Sequence, residues 1–217
     1  MAITVGAMDF HRYTPDAICE ALGLPSFQES GEGRRLPWLR LLLLPSFHPE
    51  LCITFVPGDA ETVAEVRSFN GQLWSAVTTP PSQCERVSIE ADGILQFTET
   101  FEHAVLEASK ENKRVCLDGM RVHAMLETSE GIREIEGNVG VRSALGELVR
   151  TVAQQIHPRL PRGFCRNALA QAAGYADLQL SLDLTPNPPS ATRIMVLGDP
   201  EGTEEVMRGL FERRKRD

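Results

Sequence analysis

The segment PSFHPELC, from Pro45 to Cys52, puts a serine, a histidine, a glutamate and a cysteine into one short run. Ser46, His48 and Glu50 alternate along it, and alternate side chains of an extended chain share a face. Their types are those of a nucleophile, a base and an orienting acid. Their spacing argues against that use. Same-face neighbours on a strand lie about 6.6–6.8 Å apart, whereas a nucleophile and its base must approach to about 2.6–3.2 Å. Pro45 and Pro49 restrict the bends that would close the gap, and no serine stands in a G-x-S-x-G elbow. The expectation is a kink where one strand ends, with Phe47 in the core and His48 hydrogen-bonded or at the surface. A catalytic site in this chain has to be assembled from distant residues. The candidates for it are His48, Glu50, Cys52 and His123.

Other chemistry finds less support. His11, His48, His103, His123 and His157 show no H-E-x-x-H or other ligand spacing, and the five cysteines include no CxxC pair. No metal site is expected. His103, in FEHAVLE, reads as a histidine at the border of an apolar helical face, and His123, facing away from Val122 and Ala124, is expected at solvent or at a partner. The turn GDPEGTEE at 198–205 follows a strand-like run and precedes a helical one, which is the setting of a phosphate loop. It lacks the glycine and lysine pattern, and Asp199, Glu201, Glu204 and Glu205 would repel an anion. No cofactor is expected. The carboxylates of ERVSIEAD, ETFE and REIE read as solvated surface acids.

The chain of 217 residues has a net charge of -8 and a pI near 5.2. An acidic protein with few aromatics lacks the broad basic surface that binds a phosphate backbone, so nucleic acid is an unlikely partner. Residues 1–157 carry the negative charge, and the chain closes on the basic run RRKRD, read as a helix-dipole complement and solubilising tail. The odd number of dispersed cysteines, with no leader-like opening stretch, gives a cytoplasmic expectation. Cys52 and Cys116 read as small core residues. No membrane span is expected, because the four leucines Leu41–Leu44 are bounded by Arg40 and Pro45, and a span needs about 20 apolar residues.

These residues need elements to position them. TPDAICEALGLPS reads as a helix capped by Thr14 with Pro15 in its first turn. Leu36–Leu44 and 51–56 read as strands, with Leu39, Leu41 and Leu43 on one face. TVAEVRSF and QLWSAVTT flank Asn70-Gly71, which predicts a hairpin. RVSIEADGILQF carries a strand or a short hairpin bent at Asp92-Gly93. A helix follows over 99–112, with Phe101, Val105, Ala108 and Leu106 on its apolar side. A second hairpin is expected from about Met120 to Ile135, turning at Ser129-Glu130-Gly131. VRSALGELVRTVAQQIH is a helix ended by Pro158, in which Gly146 costs about 1 kcal/mol against alanine unless packing requires it. CRNALAQAAG is a helix. LQLSLDL alternates like a strand, TRIMVLG reads as a buried strand, and GTEEVMRGLFERRKR as a terminal helix.

The pattern is α+β: a mainly antiparallel sheet built from hairpins, with about four or five helices packed on it. Residues 1–157 are expected to form the main α+β domain. Residues 158–217 form a C-terminal helix-strand-strand-helix segment, separate or part of the same domain. With no coherent catalytic set, the leading functional expectation is a cytoplasmic protein-interaction or accessory protein. Residues 85–136 hold 12 acids against 6 basic residues, an acidic face suited to a partner with a basic surface. The alternatives are an enzyme of unidentified class, such as a hydrolase, with its site around the Pro45–Cys52 bend, and a structural subunit of a homo-oligomer.

Overall fold

The computed structural model describes residues 14–27, 36, 38–58, 61–73, 76, 78–108 and 119–183. Six strands form one antiparallel sheet: β1 (Trp38–Pro45), β2 (Leu51–Pro57), β3 (Thr62–Phe69), β4 (Ser82–Ile89), β5 (Met120–Thr128) and β6 (Gly131–Asn138). Their spatial order is β4-β3-β2-β1-β5-β6. The first four strands meander to one edge. Helix α2 (Ala91–Ala108) then intervenes before β5 pairs with the free side of β1. The remaining helices are α1 (Pro15–Ala21), α3 (Ala144–Ile156) and α4 (Phe164–Gly174), with a 3-10 turn at His157–Arg159. The class is α+β, with four α-helices among the described residues.

The sheet has a core on each face. Leu39, Leu41 and Leu43 of β1, Ile53 and Phe55 of β2, and Val122, Ala124 and Leu126 of β5 meet Phe97 and Phe101 of α2, Leu148 and Val152 of α3, and Leu169 of α4. The Phe55 and Phe97 rings stand 4.7 Å apart, a favourable separation for an aromatic pair. On the other face Trp38, Leu42, Leu44, Cys52, Phe69 and Met125 meet Ile18, Cys19 and Leu22 of α1, and Phe27. A strand covered on both faces needs apolar residues at successive positions rather than at alternate ones. That explains the four leucines of Leu41–Leu44: every residue of β1 is buried.

Arg40 lies inside this strand and is only 1% exposed. Its Nη1 donates to the Ser26 carbonyl at 3.0 Å, with the Pro25 and Phe27 carbonyls at 3.4 and 3.5 Å. Its guanidinium carbon lies 4.5 Å from the centre of the Trp38 ring. The charge thus holds the chain that follows α1 down onto the sheet. Arg67 does the same at the end of α1, donating to the Leu22 and Gly23 carbonyls at 3.1 and 3.3 Å.

The helix ends follow their sequence signals. Thr14 caps α1 through Ala17 N–H, and Ser143 caps α3 through Gly146 N–H. Gly146 is needed because a Cβ there would sit 2.3 Å from the Gly140 carbonyl oxygen. The Met120–Ile135 hairpin forms, with Thr128 paired to Gly131 across the turn.

Four expectations are corrected. Asn70-Gly71 does not turn a two-residue hairpin: β3 pairs with β4, and Asn70 N–H bonds to the Pro81 carbonyl at 3.0 Å, closing a wide loop. Such a hairpin turn needs positive φ at Asn70, and Asp177 is the only non-glycine with positive φ among the described residues. Asp92-Gly93 is not a bend in a hairpin but lies in the first turn of α2. Residues 178–183 of the LQLSLDL run are not a strand. Side chains take up its polar groups instead. The Ser181 carbonyl lies 2.9 Å from His157 Nε2, and Asp183 N–H donates to Asn167 Oδ1 at 2.7 Å. Leu178 and Leu180 still pack on the core, so the alternation reports one-sided burial without a ladder. Leu106, expected on the apolar side of its helix, is 64% exposed. Cys116, the expected strand TRIMVLG, the GDPEGTEE turn and the terminal helix lie outside the described residues.

Candidate functional site

The bend between β1 and β2 uses its polar residues to tie the fold together. Residues 46–48 leave the extended conformation, so Ser46, His48 and Glu50 do not share a face. Ser46 Oγ donates to the Gly119 carbonyl at 2.6 Å and lies 3.2 Å from Gly119 N–H. Glu50 is fully buried, and its Oε2 accepts from Leu73 N–H at 2.7 Å. Gln72 Nε2 donates to the Ser46 carbonyl at 3.2 Å. Phe47 is 58% exposed and not in the core as expected. The carboxylate and the carboxamide thus pull residues 70–73 over the bend, the competing interaction that defeats the Asn-Gly hairpin.

His48 turns to Tyr175, just beyond α4, with Nδ1 3.0 Å from the phenolic oxygen and the rings edge-on. The same oxygen accepts from Phe47 N–H at 3.2 Å. Both contacts are satisfied when the hydroxyl donates to a neutral His48. Partial burial pushes the His48 pKa below its ordinary value, which favours that neutral form. Tyr175 to His48 is the link that sequence reasoning missed, since residues so far apart carry no shared periodicity. A double-mutant cycle between His48→Ala and Tyr175→Phe is expected to give a coupling of about 1 kcal/mol in urea unfolding. Strictly additive effects would show that the contact contributes nothing.

Cys52 and His123 lie on the other face of the sheet. Both pair with Leu42, one from each side, and this sets them about 10 Å apart across three strands. Continuing outward, Arg67 and Cys84 follow Cys52, and Glu136 follows His123. His123 faces away from Val122 and Ala124 as expected, yet it is only 7% exposed and meets neither solvent nor, among the described residues, a catalytic neighbour. Phe27 stacks edge-on against it, with centroids 6.1 Å apart. The loop held by Arg40 therefore covers a position that alternation alone assigns to the outside. The four candidates are not brought together: His48 and Glu50 stand at the bend, Cys52 in the core beneath α1, and His123 beside Phe27.

Burial pushes the His123 pKa below its ordinary value, and Arg121 adds to this, while Glu136, with Oε2 3.4 Å from Nδ1, opposes it. Burial likewise depresses His157, beside Arg166. A folded-state pKa below the unfolded one means that the unfolded chain binds the proton more readily. The stability contributed by neutral His123 is thus complete above the unfolded pKa of about 6.5 and lost as pH falls. The urea midpoint is expected to drop between pH 7.5 and 5.5, and His123→Gln should flatten the drop. An unchanged pH profile in that variant would remove His123 from the account.

The surface charge is also redistributed. The described residues of 85–136 do not make one face, because they run from β4 at one edge of the sheet to β6 at the other, about 24 Å away. Glu85 stays at the β4 edge beside Gln83. Glu102 and Glu130 both meet Arg133 on the side where α2 approaches the β5–β6 hairpin. His103 is exposed, with Nδ1 3.7 Å from Glu147 of α3. Among the described residues no group of three or more histidines, cysteines and acids is placed to hold a metal ion, and no helix is long and apolar enough to cross a membrane.

Fold and site together define a two-core α+β sheet protein whose buried polar residues serve its own loops. No protein-family model matches the chain, and no curated protein matches it either.

Proposed function

We propose that the protein is an interaction or accessory protein that works in the cytoplasm and binds a protein partner through the outer surface of α2. The observation that carries this reading is a line of exposed side chains down that helix. Leu95 and Leu106 are 58% and 64% exposed, and they are eleven residues apart, a spacing that returns to the same side of a helix. Exposed Glu99 falls between them within the same narrow arc, as does half-buried Glu102, which is paired with Arg133 together with Glu130. Two apolar anchors about 16 Å apart with carboxylates between them suit a partner that offers apolar pockets flanked by basic groups. The dispersal of His48, Glu50, Cys52 and His123 supports this reading over an enzyme at the bend.

The test is affinity capture with the tagged full chain, comparing wild type with Leu95→Asp/Glu99→Lys. A stoichiometric partner, weakened by salt and lost with the double variant while the fold persists, supports the reading. Absence of a stoichiometric partner, or a partner retained by the variant, overturns it. Self-association in a light-scattering measurement, unaffected by the variant, would point to a homo-oligomer instead.

A further inference from the structure

The two ring nitrogens of buried His123 are served unequally. Nδ1 lies 3.4 Å from Glu136 Oε2. Nε2 is buried and, among the described residues, has no hydrogen-bond partner. A neutral ring with its proton on Nδ1 leaves only a lone pair at Nε2. A second proton makes Nε2 a buried N–H donor of a cation with nothing to accept it, which costs far more.

The site is closed by the chain that follows α1. Phe27, itself buried, stands edge-on against the His123 ring. Asp16 Oδ1 accepts from Phe27 N–H at 2.8 Å and from Ser26 Oγ at 2.6 Å, so residues 26–27 are tied back to α1. Residues 14–27 therefore act as one cover over Leu42, Leu44, Phe69 and Met125. The core on the opposite face of the sheet contains no residue of this cover. Helix α1 has seven residues, a length held by packing rather than by its own hydrogen bonds, and such elements open locally at less cost than the whole fold.

We propose that His123 is a proton-operated latch: its protonation in mild acid releases the cover of residues 14–27, while the six strands and the opposite core stay folded. The charged groups around the ring are disposed as follows. Arg121, on the same strand, opposes a second positive charge and bonds to Glu136. On β6 Glu136 stands opposite His123, with exposed Glu134 and Asn138 on its diagonals, and Glu136 partly offsets the cost of the proton. On β1 the opposite residue is Leu42, with Arg40 and Leu44 on the diagonals. Helix α1 brings Asp16, engaged with Ser26 and Phe27, exposed Glu20 and the thiol of Cys19. Among these residue types only histidine has an ordinary pKa between pH 5 and 8. Opening lets water solvate the protonated ring, so acid favours the open form. What opens is an apolar sheet surface that neutral pH keeps closed.

The test is amide hydrogen exchange on the full chain at pH 7.5 and 5.5, with rates corrected for their intrinsic pH dependence. The amides of Ile18, Leu22, Leu24 and Phe27 are all hydrogen-bonded within the cover. Their protection is expected to fall about tenfold, the factor for a histidine that regains its ordinary pKa on opening. Protection in β1 and β2 should not change. His123→Gln should abolish the fall, and His157→Gln, at the other buried histidine, should keep it. A fall shared equally by β1 and β2 is global unfolding and overturns the latch. So does a fall that persists in His123→Gln, or no fall in the wild type. If His123→Gln folds poorly, the His123 ring signals of the wild type decide by NMR titration. Protonation and loss of protection must then share one midpoint, and separate midpoints overturn the proposal.

Discussion

Arg40→Ala is expected to destabilise the protein by about 3 kcal/mol, read as a fall in the urea midpoint with little change in slope. The guanidinium is 1% exposed and donates into the carbonyl cluster of Pro25, Ser26 and Phe27. Truncation leaves those carbonyls, of which only that of Phe27 is fully buried, without their donor, at about 1–3 kcal/mol for a buried group. It also removes the charge over Trp38, about 2 kcal/mol when desolvated. Opposing both is the relief from burying a cation, which keeps the net below the sum. Arg40→Met, which keeps the volume but not the donors, should lose about 2 kcal/mol. The fall should be accompanied by faster amide exchange in α1, because the loop after it is what Arg40 holds. A change under 1 kcal/mol for alanine would mean that water replaces the guanidinium without cost.

Gly146→Ala is the second large effect, and its sign opposes helix propensity. In an exposed helix interior the change would gain about 1 kcal/mol. Here the new Cβ would lie 2.3 Å from the Gly140 carbonyl oxygen, a backbone atom that cannot swing aside. The turn 140–143 would have to shift, and with it Ser143 Oγ, which accepts from both Gly140 N–H and Gly146 N–H. Overpacking costs about 1–3 kcal/mol and a lost cap about 1 kcal/mol. The expected net loss is about 2 kcal/mol in thermal or urea unfolding. A stabilised variant would show that the turn relaxes freely and that Gly146 has no packing role.

Where local chemistry and burial agreed, the fold was legible from the chain. Thr14 caps the helix its position suggests, and the turn at Ser129-Glu130 is where the β5–β6 hairpin reverses. The α+β class followed from such elements. Two of the misses share one cause, a tertiary contact that overrides a local signal. Asn70-Gly71 is a strong turn pair, but Glu50 and Gln72 draw the chain over the bend. Leu178, Leu180 and Leu182 alternate, yet hydrogen bonds to Asn167 and His157 satisfy the backbone where a strand would need a neighbour. The site was less legible still. Alternation put His123 on the far face from Val122 correctly, but nothing in β5 announced that Phe27, from another part of the chain, would cover it. Tyr175 matters through His48, a residue distant in sequence, and a periodic reading of its own segment shows only a helix end.

The burial of every residue of β1 has a bearing on solubility. A run such as WLRLLLL combines β-forming geometry, high hydrophobicity and little charge, the properties that let identical segments stack into aggregates. In the native sheet this strand is innermost, with β2 on one side and β5 on the other, so no hydrogen-bonding edge of it is open to another molecule. The two strands that do end the sheet carry Glu85 and Arg86 on β4, and Arg133, Glu134 and Glu136 on β6. Charged edges resist pairing with a foreign strand. The topology therefore keeps the most self-associating segment of the chain sealed for as long as the protein stays folded.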